Sequence, residues 1–254
     1  MLTSHLITYN CVTIKYPFIQ SILSVLPISQ EVIVVDCGST DGTVEAIREI
    51  GGGKITIFRG HWGDKSEVLS EMTNLAISKV GTPFHMQIQA DEVLHEDSYG
   101  ALRETLWQLT MGKYRAAYVN YLHFIADFRT TFGFMYDKAV RITRTDSGFK
   151  STGDAVQFVG PGYVADSNIW FYHYGKVHLG REQEAAVKEY NFQRMFEHLG
   201  LGFPDPLIVA AYERGQIDYR EVFATAIRRG ELRVFAGTHP QVMREYITRL
   251  ERGA

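Results

Sequence analysis

Apolar and polar residues along the first ninety positions of this 254-residue chain switch repeatedly between a strand period and a helix period. His5-Leu6-Ile7-Thr8-Tyr9 reads as a short strand. Pro17 suits a first helical turn, after which Phe18, Ile22 and Val25 share a face with Ile19, Leu23 and Leu26 beside them. Val32-Ile33-Val34-Val35 is a run of four branched apolar residues, the pattern of a strand covered on both faces in a parallel sheet. Thr43 to Ile50 predicts a helix with Val44 and Ile47 inward, stopped by Gly51-Gly52-Gly53. Lys54 to Phe58 alternates as a strand, and Ser66 to Val80 carries the helical stripe Leu69, Met72, Leu75 and Ala76. After Gly81-Thr82-Pro83, Phe84 to Gln89 is a strand again. Such alternation argues for parallel βαβ units and an α/β fold.

The second half is less regular. Glu96 to Leu109 predicts a helix, and Ala116 to Phe124 and Ala139 to Thr143 predict strands. Residues 145–168, rich in Gly, Asp and Ser, predict a loop over the site. Arg181 to Leu199 predicts a helix, Gly200 to Pro206 a break, and the remainder three short helices. The chain therefore divides into a main domain, 1–199, and a helical appendage, 200–254.

With 45% hydrophobic and 22% charged residues the composition is that of a globular protein, and a net charge of -3 gives no electrostatic case for nucleic acid as the main partner. Cys11 and Cys37 do not form a metal-binding spacing and read as small reduced thiols. No run of about 18 apolar residues and no basic-then-apolar leader is present, so the expectation is a soluble, cytoplasmic protein without a membrane span, with a place at the membrane periphery left open.

The chemistry concentrates where the strands end. Glu31-Val32-Ile33-Val34-Val35-Asp36 closes on a carboxylate and runs into Cys37-Gly38-Ser39-Thr40-Asp41-Gly42-Thr43. Ligands of open α/β sheets bind just beyond the carboxyl ends of strands, which is where Asp36 lies, with Asp41 shortly after. Asp41 suits capping of the following helix as well as ligand contact. A second acidic turn, Gln87-Ile88-Gln89-Ala90-Asp91-Glu92, follows the fourth strand.

These two segments, with Ile7-Thr8-Tyr9-Asn10, stand in the order and at the spacing of family 2 glycosyltransferases, which the chain resembles over about residues 5–95. That resemblance implies a GT-A, Rossmann-like fold: a mostly parallel mixed sheet flanked by helices, here with a C-terminal helical segment. The donor half would be about 1–95 and the acceptor half about 96–199. It also implies transfer of a sugar from a nucleoside diphosphate, UDP by default, to an acceptor hydroxyl with inversion. The acceptor would be a carbohydrate, a lipid-linked group or a protein. Thr8, Tyr9, Asn10, Asp36, Gly38, Ser39 and Asp41 would line the nucleotide. Asp91 would hold Mn²⁺ or Mg²⁺, with Gln89, Ala90 and Glu92 beside it. Gln89 departs from the family's Asp-x-Asp and removes one negative charge. His173, in Trp170-Phe171-Tyr172-His173-Tyr174-Gly175, is the match for a second metal ligand and would favour manganese. Lys176 and Arg181 suit phosphate, His178 is a weaker ligand candidate, and Asp154 is the candidate base, with an Asx turn as its alternative role. Two other classes stay open. A sugar nucleotidyltransferase would carry a Gly-rich loop after the first strand, where Tyr9-Asn10-Cys11-Val12 stands; a catalytically degenerate binding module is kept open by Gln89.

Overall fold

The computed structural model describes residues 1–63, 67–132, 136–153, 155, 157–177 and 232–252. Its first half is a parallel block of β1 Leu2–Thr8, β2 Glu31–Asp36, β3 Ile55–Arg59 and β4 Phe84–Gln87, ordered β3-β2-β1-β4. Between these strands come α1 Cys11–Ile14, α2 Phe18–Val25, α3 Thr43–Ile50 and α4 Val68–Ser78. Val32 to Val35 are all fully buried, as a strand covered on both sides requires. Alternate residues serve opposite layers. Val32 and Val34 join Phe18, Ile22, Val25 and Ile47 in one core, while Ile33 and Val35 pack with Val68, Met72 and Ala76 of α4. The register places Thr8 beside Asp36, so two polar strand ends meet at one edge.

The sheet then turns antiparallel. β8 Lys138–Arg144 pairs with β4, and β6 Tyr114–Ala126 pairs with β8. β7 Thr130–Phe132 and β13 Leu232–Val234 complete that edge. β12 Trp170–Val177 runs parallel to β6 and antiparallel to the short β5 Glu92–Leu94. The α/β fold class expected from the sequence is thus the one found: a mixed sheet flanked by helices, with α5 Tyr99–Thr110 and a C-terminal helix, α6 Gln241–Glu251.

Three local expectations change. Residues 145–168 are not simply loop, because β9 Lys150–Thr152 and β10 Gln157–Val159 form a hairpin and β11 Tyr163–Ala165 joins β6. Leu232–Val234, read as part of a helical tail, is an edge strand. β5 was not expected, being three residues long and defined by its pairing with β12. The described part of the tail packs on the body: Met243 and Ile247 are buried with Phe124, Phe128 and Tyr174. Among the described residues no helix is long and apolar enough to cross a membrane.

Buried polar groups run through the sheet. His5 Nε2 lies 3.0 Å from His85 Nδ1, and His85 Nε2 lies 2.6 Å from Thr143 Oγ1. Burial pushes the His85 ring down to about 4 and holds His5 well below the usual histidine range, so both act as neutral hydrogen-bonding groups.

Candidate functional site

The loops after β1 and β2 are built as one unit. Asp36, only 7% exposed, accepts hydrogen bonds from Thr8 Oγ1 (3.1 Å) and Ser39 Oγ (2.6 Å) on one oxygen. On the other it accepts from the backbone N–H groups of Gly38 (3.1 Å) and Ser39 (2.9 Å). Gly38 has φ of 91°, a conformation glycine adopts freely, and this folds the chain back onto the carboxylate. Asn10, in the left-handed region at φ 46°, accepts from the Thr40 N–H and gives its own N–H to Ser39 Oγ. Asp41 accepts from the Thr13 N–H on α1 and from both the N–H and hydroxyl of Thr43 at the start of α3. Burial works to raise the Asp41 carboxyl, but these hydrogen bonds outweigh it and hold the group below its ordinary range. The N-cap of α3 is Gly42, and Asp41, one residue before it, takes up the N–H of the first helical residue through an Asx turn.

Asp36→Ala would leave two backbone donors and two hydroxyls without their acceptor. Unfolding free energy should fall by about 1–3 kcal/mol. Hydrogen exchange should speed up at residues 37–41 before it does so elsewhere; unchanged protection there would refute this role.

The acidic turn after β4 is pinned from several sides. Ser21 Oγ on α2 donates to the Ala90 carbonyl (3.1 Å), and the Gln89 N–H donates to Glu92 Oε2 (2.9 Å). The Tyr174 N–H donates to the Asp91 carbonyl (2.8 Å), so β12 fixes the height of Asp91. Glu92 is fully buried and ion-paired with the equally buried Arg141 at 3.0 Å. Arg141 also donates to Tyr121 Oη (2.6 Å), Gln87 Oε1 (2.8 Å) and the Ala155 carbonyl (3.0 Å). Burial alone would lower the guanidinium pKa, but Glu92 and the Tyr121 and Tyr136 oxygens raise it above its ordinary value. Arg141 thus ties the acidic turn to the turn after β9, where Ala155 holds a positive φ of 64°.

Asp91 points at His173. Its Oδ2 lies 3.4 Å from His173 Nε2, and both side chains are largely covered. Beneath them is Gly175: a Cβ there would press into Asp91 Oδ2 and stand 2.8 Å from His173 Nε2. On the other side of the ring, His173 Nδ1 lies 3.0 Å from His123 Nδ1, and His123 Nε2 lies 2.9 Å from the Tyr136 carbonyl. Burial first, then the neighbouring His173, pushes His123 down to about 3. Lys176, on the same strand, lies within electrostatic reach of His123.

The two acidic regions converge. Burial pushes the Cys11 thiol up to about 12, opposed by a hydrogen bond to the Tyr9 carbonyl; Asp41, Asp91 and Asp36 then add to the rise. Two carboxylates of the loop after β2 and one of the turn after β4 therefore act on one thiol at the carboxyl end of the parallel strands. Both cysteines are free and buried, as expected. Beside them, Trp62 stacks on Tyr9 with ring centroids 4.5 Å apart and planes 3° from parallel. Trp62 remains 44% exposed at the end of β3.

Among the described residues no group of three His, Cys, Asp or Glu side chains is placed to hold a metal. Asp91 and His173 nevertheless suit a divalent ion that takes its other positions from phosphate and water. Their oxygen and nitrogen donors match Mn²⁺, and their separation is close to the spacing of neighbouring ligands on an ion bound at about 2.1 Å. Gly175 keeps the space beside them free of a side chain. Asp154, His178 and Arg181 lie outside the described residues. A separate cavity of about 570 Å³, lined by Pro83, Phe84, Thr110, Arg144, Thr145 and Asp146, opens at the start of β4, away from the acids. Its charges are spent on each other, Arg144 holding Asp146 at 2.8 and 2.7 Å.

No protein-family model and no curated protein matches the chain. Among solved structures it is similar to S. aureus TarS 1-349, with a TM-score of 0.47 and 13% identity over 80% of this chain and 66% of that one. It is also similar to the UDP-GlcNAc complex of TarS 1-349, with a TM-score of 0.45 and 14% identity over 67% and 57%. A third likeness is to 4-diphosphocytidyl-2C-methyl-D-erythritol synthase of Anaerococcus prevotii, with a TM-score of 0.41 and 11% identity over 70% and 89%. The chain thus spans less than two-thirds of the TarS chains it resembles. Scores this low leave the functional reading to the site's own geometry.

Proposed function

We propose that this chain is a GT-A-type glycosyltransferase that moves a sugar from a nucleoside diphosphate, UDP in the first instance, to an acceptor hydroxyl. The observation that carries it is the placing of Asp36 and Asp41 after β2 and of Asp91 after β4, on the two sides of β1 at the carboxyl ends of the parallel strands, with His173 3.4 Å from Asp91. In this reading Tyr9 and Trp62 offer aromatic faces to the base. Thr8, Asn10, Gly38 and Ser39 form the rim that receives ribose and base edges, shaped by Asp36. Asp91 and His173 hold a divalent cation, which as a Lewis acid stabilises charge on the departing diphosphate. Lys176 supplies further positive charge to the phosphates. Gln89, Ala90 and Glu92 set the turn that presents Asp91, and Gln89 leaves the site one charge less negative. The absence of a Gly-rich loop after β1 favours sugar transfer over nucleotidyl transfer.

A thermal-shift screen of UDP, GDP and CDP, each with Mn²⁺ or with EDTA, tests this. UDP at about a hundred times its Kd should add about 2.7 kcal/mol of stability. Most of that gain should require Mn²⁺ and disappear in Asp91→Asn. No shift with any of the three nucleotides in either condition would end the proposal. Selective UDP-GlcNAc binding without any release of UDP over long incubation with acceptor mixtures would instead support a binding module.

A further inference from the structure

The Asp91–His173 pair depends on which nitrogen of His173 carries the proton, and that is set one residue further back. Tyr136 offers His123 a carbonyl, which can only accept, so His123 Nε2 bears the hydrogen at 2.9 Å. An uncharged imidazole carries one N–H, so His123 Nδ1 is a lone pair. The facing nitrogen, 3.0 Å away, is His173 Nδ1, and it must donate. In the uncharged ring that ligation of a cation requires, the remaining nitrogen of His173, Nε2, is then the lone pair, turned toward Asp91 Oδ2 at 3.4 Å; a protonated ring would donate from Nε2 to that carboxylate instead. His123 is 2% exposed and cannot itself meet a ligand. Tyr121 stacks on one side of its ring at 5.3 Å, and the edge of Tyr136 closes another, so its orientation is fixed by packing.

We propose that His123 is a positioning residue that holds His173 in the Nδ1–H tautomer, so that His173 Nε2 and Asp91 present a two-donor seat for a divalent cation. This rests on the reading of Asp91 and His173 as the cation-holding pair. Partners of this kind typically change metal affinity 10–100-fold when removed, because they fix both ring angle and tautomer.

The test uses the full chain and Mn²⁺ alone, titrated by calorimetry, with Co²⁺ absorption as an independent readout of nitrogen ligation. His123→Phe keeps an aromatic ring but lacks the acceptor, and Mn²⁺ affinity should fall at least tenfold. His123→Asn places a carbonyl oxygen near the position of Nδ1 and should restore affinity to within a few-fold of the parent. Equal loss in both variants, or a folded Phe variant with parental affinity, would overturn the proposal. Long-range ¹H–¹⁵N spectra of the unmodified protein give a check that needs no variant. His123 should show the Nε2–H form with an unprotonated Nδ1, and an Nδ1–H form of His123 would reject the relay. The outcome separates from that of the proposed activity. Parental chain that binds UDP but no Mn²⁺ defeats this inference and leaves nucleotide binding standing. Mn²⁺ binding that depends on His123, without any nucleotide binding, does the opposite.

Discussion

Arg141→Met is expected to lower the free energy of unfolding by about 3–5 kcal/mol, the range for removing one partner of a buried ion pair. The loss arises less from the vanished attraction than from what remains. Glu92 is fully buried, and without the guanidinium its charge keeps only the Tyr121 hydroxyl and the Gln89 N–H as donors among the contacts described. Gln87 Oε1 and the Ala155 carbonyl also lose a donor. Adding Glu92→Gln should recover a large part of the loss, because a neutral amide can accept from Gln89 and avoids burying an unpaired charge. Urea denaturation of the parent, the two single variants and the double variant measures this directly. A single-variant loss under about 1 kcal/mol, or a double variant no better than Arg141→Met, would show that the pair does not act as described. Because Arg141 also holds the turn after β9, nucleotide binding by the double variant tells whether that tie matters beyond stability.

Much of the first ninety residues was legible because it depends on local pattern. The run Val32 to Val35 needs no knowledge of its neighbours to be read as buried, and the Asp36–Asp41 loop is short enough for its turn chemistry to show in the residues themselves. What stayed hidden depends on register between distant strands. Arg141 is a charge flanked by Val140 and Ile142 in the middle of β8, a signal that a buried partner must exist. Only the pairing of β8 with β4 and β6, and of β5 with β6 through β12, reveals that partner as Glu92. His123 sits among aromatic residues that read as core; its contact with His173 follows from the parallel pairing of β6 and β12, fifty residues apart. Trp62, three residues beyond β3, carries no local signal for its stack on Tyr9, which joins the ends of two different strands. Asp36 carries the same lesson inside the predicted site. The residue was found from its place at a strand end, but the four hydrogen bonds that make it an organiser of the loop are visible only once the loop is folded.

Gly175→Ala should remove metal-dependent nucleotide binding while leaving most of the fold intact. Glycine weakens a strand, so its presence inside β12 calls for a close approach by something else. That something is Asp91, whose Oδ2 and Cγ occupy the space a Cβ would need, with His173 Nε2 2.8 Å from it on the other side. The atoms met are the ends of side chains rather than backbone, so Asp91 can swing away. Stability should fall by about 1–3 kcal/mol at most, the scale of an added methyl group in a packed site. Swinging away, however, separates the two donors. Mn²⁺-dependent UDP affinity should fall about a hundredfold, the upper end of what disturbing a metal site's geometry costs. Gly60→Ala supplies the contrast, since its methyl group would press on the buried Val35 and Met72 and touch neither Asp91 nor His173, the backbone oxygen of Asp36 lying at an ordinary 3.5 Å. That variant should lose stability and keep its metal dependence. If both glycine variants lose stability alike and both retain Mn²⁺-dependent UDP binding, then the space beside Asp91 and His173 is a packing accident and not a seat for a cation.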